Sequence, residues 1–155
     1  MMEYKIVFSK KSTDLVDMSG NIIFKTFCKN YFFIRKYLVY DGDDNLLLIF
    51  QKTDVLLFFI RTKILVSNLN KQFEFRDKGL TFCLLMDNLI LKFKGQVIGL
   101  LNSEFKANNK IVGHIKEMPD SINNSMILTF LEENEINKYC LILFIIATVN
   151  YWDPH

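Results

Sequence analysis

Proline and glycine are scarce, with two and six residues in a chain of 155. That excludes collagen-like, linker-like and low-complexity sequence, which need these residues in bulk. Cysteine is equally thin. Cys28, Cys83 and Cys140 are odd in number, far apart and form no CxxC pair. Neither a disulfide framework nor a spaced zinc site is indicated, and reduced thiols in a cytosolic setting are expected. Histidine occurs only as His114 and His155, so a nucleophile–histidine–acid set would have to use one of them. No Walker loop and no GxGxxG motif is present. Charge of one sign is lacking too. The formal net charge is +2, too small to imply a nucleic-acid partner. The opening MMEYKIVFSKK contains an acid and only three consecutive apolar residues, so no signal peptide is expected. Asn123-Asn124-Ser125 fits the glycosylation triplet, but no export signal supports it.

What the chain does have is hydrophobic bulk. Half of its residues are hydrophobic, 23% are charged and fifteen are phenylalanine. This is the balance of a globular domain, and the first role of so many rings is core filling. The length fits a single domain over 1–155. Up to Lys63 there are ten Lys and Arg against seven Asp and Glu, and beyond it nine against ten. This mild asymmetry leaves room for an anionic partner on the N-terminal part.

Most of the sequence runs in short apolar bursts divided by polar turns. Strands are expected at 4–8, 15–17, 22–24, 37–40, 46–50, 55–60, 63–66, 80–86, 89–93, 97–101, 111–115 and 126–131. Residues 72–76 alternate strictly, so one face there should be wet. That is about eleven strand candidates at the spacing of an all-β sandwich or barrel. The stretch LVDMSGNII from Leu15 echoes VYDGDDNLL from Val39. Each has a strand, an Asp, a small polar turn ending in Asn, and a second strand. Gly, Asn and Asp tolerate the positive φ of tight hairpins. The echo therefore fits either independent hairpins with the same turn chemistry or a meander built of similar units.

The C-terminal part differs. Residues 139–152 carry no Gly, Pro or charge, which is long for a strand. Asn134 is suited to an N-cap, the acids Glu132, Glu133 and Glu135 suit a helix N-terminus, and Asp153-Pro154 is a stop. A helix is expected over about 136–151, although Ile142, Ile145, Ile146 and Val149 lower its intrinsic propensity. Being apolar on every face, it must span a membrane or be enclosed by protein. A span needs about 20 apolar residues, more than this run has, so enclosure is expected. Strands closing around it would also remove open sheet edges.

Three passages resemble the tubby C-terminal-like superfamily, which includes the LURP-one-related proteins and phospholipid scramblases. YLVYDGDDNLLLIFQK at 37–52 resembles its unit of strand, acidic turn, strand and basic residue. KIVGHIK at 110–116 resembles its late "glycine then basic" strand. Residues 125–152 resemble its closing strand, acidic turn and buried helix. The resemblance spans nearly the whole chain. It implies a mainly β fold, a closed antiparallel β-barrel of about twelve strands enclosing a hydrophobic C-terminal α-helix.

Chemistry is weakly marked. Asp41-Gly42-Asp43-Asp44-Asn45 looks like a calcium loop, but an EF-hand needs Gly at its sixth position and Glu at its twelfth, where this chain has Leu46 and Lys52. His114 shares a strand face with Lys116 and fits an exposed position. No catalytic residue, metal or cofactor is assigned. The basic doublets Lys10-Lys11 and Arg35-Lys36 are the candidate ligand-binding residues, the second preceded directly by Tyr31-Phe32-Phe33-Ile34. Aromatics beside cations suit a membrane interface, whereas a charge-protected strand edge needs no ligand at all. Tubby proteins bind phosphoinositide headgroups. The resemblance thus implies a non-enzymatic binding module for anionic phospholipid or a membrane surface, cytoplasmic and at most peripheral to the membrane. A protein-interaction domain without a small-molecule ligand is the alternative, and an enzyme is the third reading.

Overall fold

The computed structural model describes residues 1–9, 11–56, 59–96, 101–118 and 125–152. The strands are β1 (Met2–Phe8), β2 (Thr13–Asp17), β3 (Ile22–Tyr31), β4 (Ile34–Asp41), β5 (Leu46–Leu56), β6 (Phe59–Ser67), β7 (Glu74–Lys78), β8 (Thr81–Met86), β9 (Leu89–Lys94), β10 (Asn102–Ala107), β11 (Lys110–Glu117) and β12 (Met126–Phe130). One helix, α1 (Glu135–Trp152), follows. All twelve strands form one antiparallel sheet in the order β6-β5-β4-β3-β2-β1-β12-β11-β10-β9-β8-β7. Two six-stranded meanders are thus joined through the pairing of β1 with β12. The sheet curls into a nearly closed barrel, with β6 and β7 at its two edges.

The helix fills the barrel. Every residue from 139 to 149 is buried, which an α-helix without a polar face requires. The expected cap is present: the Asn137 backbone N–H donates to Asn134 Oδ1 at 3.3 Å, and Asn137 Nδ2 donates to the Glu132 carbonyl at 2.7 Å. Around the helix runs a belt of rings. Phe75, Phe82, Phe93, Phe105, Phe130 and Tyr4 touch in succession at centroid distances of 5.3 to 6.5 Å. Phe105 and Phe130 lie on strands separated by β11, both in register with Gly113. They stack at 18° and 5.3 Å because Gly113 has no side chain between them. A Cβ there would sit 2.7 Å from both the Phe130 ring and the Thr129 carbonyl. The space beside the helix between Ile6, Thr26 and Val149 measures about 20 Å³, room for about one water.

The two echoing turns are built alike. Asp17 Oδ1 accepts from the backbone N–H groups of Ser19 and Asn21, and Asp17 Oδ2 from Asn21 Nδ2. Asp41 makes the same three bonds with Asp43 and Asn45. These bonds hold both carboxyls below the usual carboxylate range.

Three strand expectations need correction. The bursts at 55–60 and 63–66 are not two strands but the end of β5 and the whole length of β6. No Gly, Pro or Asn marks the reversal between them, so nothing in the residue types betrays it. The β10 strand was not expected, because only Phe105 and Ala107 point into the core in an otherwise polar stretch. Of the expected strand 97–101, residues 97–100 lie outside the described residues, and Leu101 is not in a strand. The glycosylation triplet at 123–125, the stop at 153–154 and His155 likewise fall wholly or mainly outside them.

Candidate functional site

The barrel has two unlike ends. One carries the β2–β3, β4–β5, β8–β9 and β10–β11 turns and the start of α1. The other carries the β1–β2, β3–β4, β5–β6 and β7–β8 turns and the end of α1. At this second end two neighbouring hairpins run on past the β1–β2 hairpin. Thr13 near the start of β2 pairs with Thr26, yet β3 and β4 continue to the pair Tyr31 and Ile34. The β5–β6 hairpin continues to the pair Leu56 and Phe59. The two are tied together where the Asp54 N–H donates to the Phe33 carbonyl at 3.0 Å.

The described residues around their tips are apolar and bare. Relative exposure is 102% for Phe32, 71% for Phe33, 72% for Leu56 and 67% for Phe59. Tyr31, Ile34 and Val55 are also exposed. Single exposed apolar residues are ordinary, but a cluster on projecting turns is not. The backbone adds a second anomaly. Phe32 adopts φ of +51° at the first position of a two-residue turn, where Gly or Asn is the normal occupant. A bulky side chain is held in a conformation it disfavours.

Behind the tips lies a row of cations. On the outer face Lys29 sits opposite Lys36, Lys36 opposite Gln51, and Gln51 opposite Lys63. The next row toward the tips is Tyr31, Ile34, Thr53 and Arg61. Like charges directly across a strand pair destabilise a sheet, so the Lys29–Lys36 pair has no structural rationale. Two residues along a strand span roughly 7 Å, which sets the distance between these two rows.

The residues nominated from sequence divide among different places. Lys36 belongs to the outer row. Arg35, its neighbour, points into the barrel mouth, where its guanidinium pairs with Asp54 at 3.0 Å and is largely covered. Its Nε is buried without a hydrogen-bond partner among the described residues. Lys11 is exposed in the β1–β2 turn at the same barrel end, two strands from β4. Lys10 lies outside the described residues. Lys29 and Lys63 were missed because only strand register brings them beside Lys36. Of the exposed aromatics, Tyr31, Phe32 and Phe33 stand out in the sequence beside Arg35-Lys36, whereas Phe59 falls under the core-filling expectation for fifteen phenylalanines.

Lys52 is the other unforeseen group. It lies on the same inward face of β5 as Leu48 and Phe50 and is 3% exposed. Its ammonium approaches the Ala147 carbonyl in α1 at 3.5 Å. The last turn of α1 has no basic residue of its own, so Lys52 supplies a cation near the negative end of the helix dipole. Burial pulls its pKa down to about 7, with the Arg35 charge adding to the fall and Asp77 opposing it. Burial raises Asp77, and Lys52 partly offsets this.

Among the described residues no group of three or more His, Cys, Asp or Glu is placed to hold a metal ion. No helix among them is long and apolar enough to cross a membrane.

No family model matches this chain, and no curated protein matches it. Among solved structures, a protein from Arabidopsis thaliana aligns over 96% of this chain and 91% of its own, with 12% identity and a TM-score of 0.40.

Proposed function

We propose that this protein is a non-catalytic binding module that docks on anionic membrane surfaces through the β3–β4 and β5–β6 hairpin tips. The observation that carries the reading is the layered order on these hairpins: bare aromatic and aliphatic tips, then Lys29, Lys36 and Lys63 in one register row that Gln51 completes on β5. Interfacial apolar groups enter about 5–10 Å into the headgroup–acyl boundary. The lysine row stands about 7 Å behind the row of Tyr31 and Ile34, the depth at which ammonium groups meet lipid phosphates. The exposure of the tips and the unrelieved Lys29–Lys36 opposition both work against the free protein. A negatively charged apolar phase would relieve both. The likeness of the sequence to the tubby C-terminal-like superfamily supports the same reading.

Co-sedimentation with vesicles tests it. The chain is expected to pellet with vesicles of about seven parts phosphatidylcholine to three parts phosphatidylserine at low ionic strength, and to stay in the supernatant with phosphatidylcholine alone. The Phe32→Ser, Phe33→Ser double variant changes only exposed positions and should fold normally but bind at least tenfold more weakly. A wild-type chain that ignores both kinds of vesicle would overturn the proposal. Concentration-dependent dimerisation lost in that same double variant would instead make the tips a protein interface.

A further inference from the structure

The other half of the sheet holds a second feature. Strands β9 and β10 are in register over only two pairs, Leu91 with Ala107 and Lys92 with Lys106. Beyond these pairs the strands part. Side chains bridge where a backbone ladder would run: the Lys94 N–H donates to Ser103 Oγ at 3.3 Å and Gln96 Nε2 to the Asn102 carbonyl at 3.4 Å. The parted strands, with β8 and β11 beside them, leave an outer cleft of about 920 Å³. This is within the usual size range of small-molecule sites.

Lysines dominate the walls. Lys92, Lys94, Lys106 and His114 line the cleft, accompanied by neutral donors such as Ser103 and Gln96. Glu104 is its one carboxylate, set toward Lys106 at 3.6 Å. Lys92 donates to Asn109 Oδ1, which steers its stem along the wall without neutralising it. Lys94 has no acidic partner among the described residues. Lysines at positions 92 and 94 of β9 and 106 of β10 project from facing strands toward a shared space. With no ligand they repel one another, as Lys92 and Lys106 do directly across the ladder. Lysines on facing strands, beside a gap that hydroxyl and amide groups also line, suit a compact oxyanion carrying more than one charge.

We infer that the β9–β10 cleft binds a small multiply charged oxyanion of the phosphate or diphosphate class, carried on a solute or on a lipid headgroup. The site shares no residue with the hairpin tips and stands whether or not these dock on membranes.

Two arms test the inference, with Lys94→Gln, Lys106→Gln as the double variant. In the first, the ¹⁵N-labelled chain is titrated with inorganic pyrophosphate at low salt. Saturable amide shifts centred on Lys94, Ser103 and Lys106, at least tenfold weaker in the variant, support the site with a soluble ligand. In the second, binding to vesicles containing phosphatidic acid is compared with binding to phosphatidylserine vesicles of equal surface charge. A preference for phosphatidic acid that the variant loses supports the site with a headgroup as ligand. If pyrophosphate shifts Lys29, Lys36 and Lys63 as much as the cleft residues, or if neither arm responds to the variant, the inference is wrong. Docking by the tips has its own test, whether Phe32→Ser, Phe33→Ser abolishes binding to phosphatidylserine vesicles.

Discussion

Two residues oppose their surroundings, and each yields a measurable consequence. Lys52 is ionisable, inward-facing and nearly inaccessible, with a pKa of about 7 against an ordinary 10.5. A lysine whose folded pKa is depressed binds fewer protons folded than unfolded between those two values, so its contribution to stability rises with pH across that window. Below pH 7 the full penalty applies. Cys140 acts in the opposite sense above its ordinary value of 9.0, because burial pushes its thiol up to about 12. A net gain is therefore expected from pH 7 to about 8.5, worth about 1–2 kcal/mol at roughly 1.4 kcal/mol per pH unit. Urea unfolding should show this gain in the wild type and a flat profile in Lys52→Met, with the variant the more stable at pH 6. Cys140 is common to both chains and cancels in the comparison. Equal pH profiles would show that Lys52 stays charged in the fold. Phe32 poses a conformational conflict rather than an electrostatic one, with φ of +51° in a two-residue turn. Phe32→Asn accepts that backbone readily and should stabilise the chain by up to about 1 kcal/mol. The same change should weaken vesicle binding. A gain in stability accompanied by a loss of binding is what a residue kept for function produces. If thermal unfolding shows Phe32→Asn less stable, the ring packs on something and is not a free probe.

Among the elements, α1 decides the fold. Phe144 is fully buried and lies 5.8 Å from the Phe93 ring and 6.4 Å from the Phe105 ring. A carboxylate there would have no partner. Its burial costs several kcal/mol or more, a large part of the whole stability of a domain. Phe144→Asp should therefore give no cooperative unfolding transition by circular dichroism, while Phe144→Leu should cost no more than a few kcal/mol. A folded, more soluble Phe144→Asp chain would mean that the helix leaves the barrel. This element was legible in sequence because its signals agree: Asn134 as cap, acids at the entry, and an apolar run too long for a strand. The turns at Asp17 and Asp41 were legible for a similar reason, since their Asp and Asn side chains make the turn bonds themselves. The β5–β6 reversal was not, because residues 55–60 carry no turn chemistry. Nor was the inward aim of Lys52, since strand alternation says which side chains share a face but not that a charged one ends against a helix carbonyl. Half of the candidate docking surface could be read locally, as Tyr31, Phe32, Phe33, Ile34 and Lys36 are neighbours in the chain. Lys29 joins them through the β3–β4 register, and Lys63 only through the β5–β6 register, which includes bulges such as that between Asp54 and Leu56.

At the scale of the molecule, charge is sorted along the barrel axis. Acidic turns at Asp17, Asp41, Asp43 and Asp44, with Glu132 and Glu133, sit at the end where α1 begins. Around the hairpin tips Lys29, Lys36, Arg61 and Lys63 outnumber Asp54, which is already paired with Arg35. A barrel polarised in this way approaches a negatively charged plane with its tips first. The orientation separates two contributions to binding that ionic strength can distinguish. Lysines near an anionic bilayer contribute about 1 kcal/mol each, a contribution that fades as the Debye length shrinks from about 10 Å at 0.1 M salt to about 3 Å at 1 M. Apolar insertion is not screened. Vesicle binding by the Lys29→Gln, Lys36→Gln, Lys63→Gln triple variant should fall by about 3 kcal/mol, roughly a hundredfold, at low salt and converge on wild type as salt rises. Binding by Phe32→Ser, Phe33→Ser should instead lie below wild type by a constant factor at every salt concentration. If both variants lose binding in parallel across the salt series, the tips and the lysine row do not occupy the separate depths that the hairpin geometry assigns to them. A charged face lying flat on the membrane would then replace the tip-first orientation.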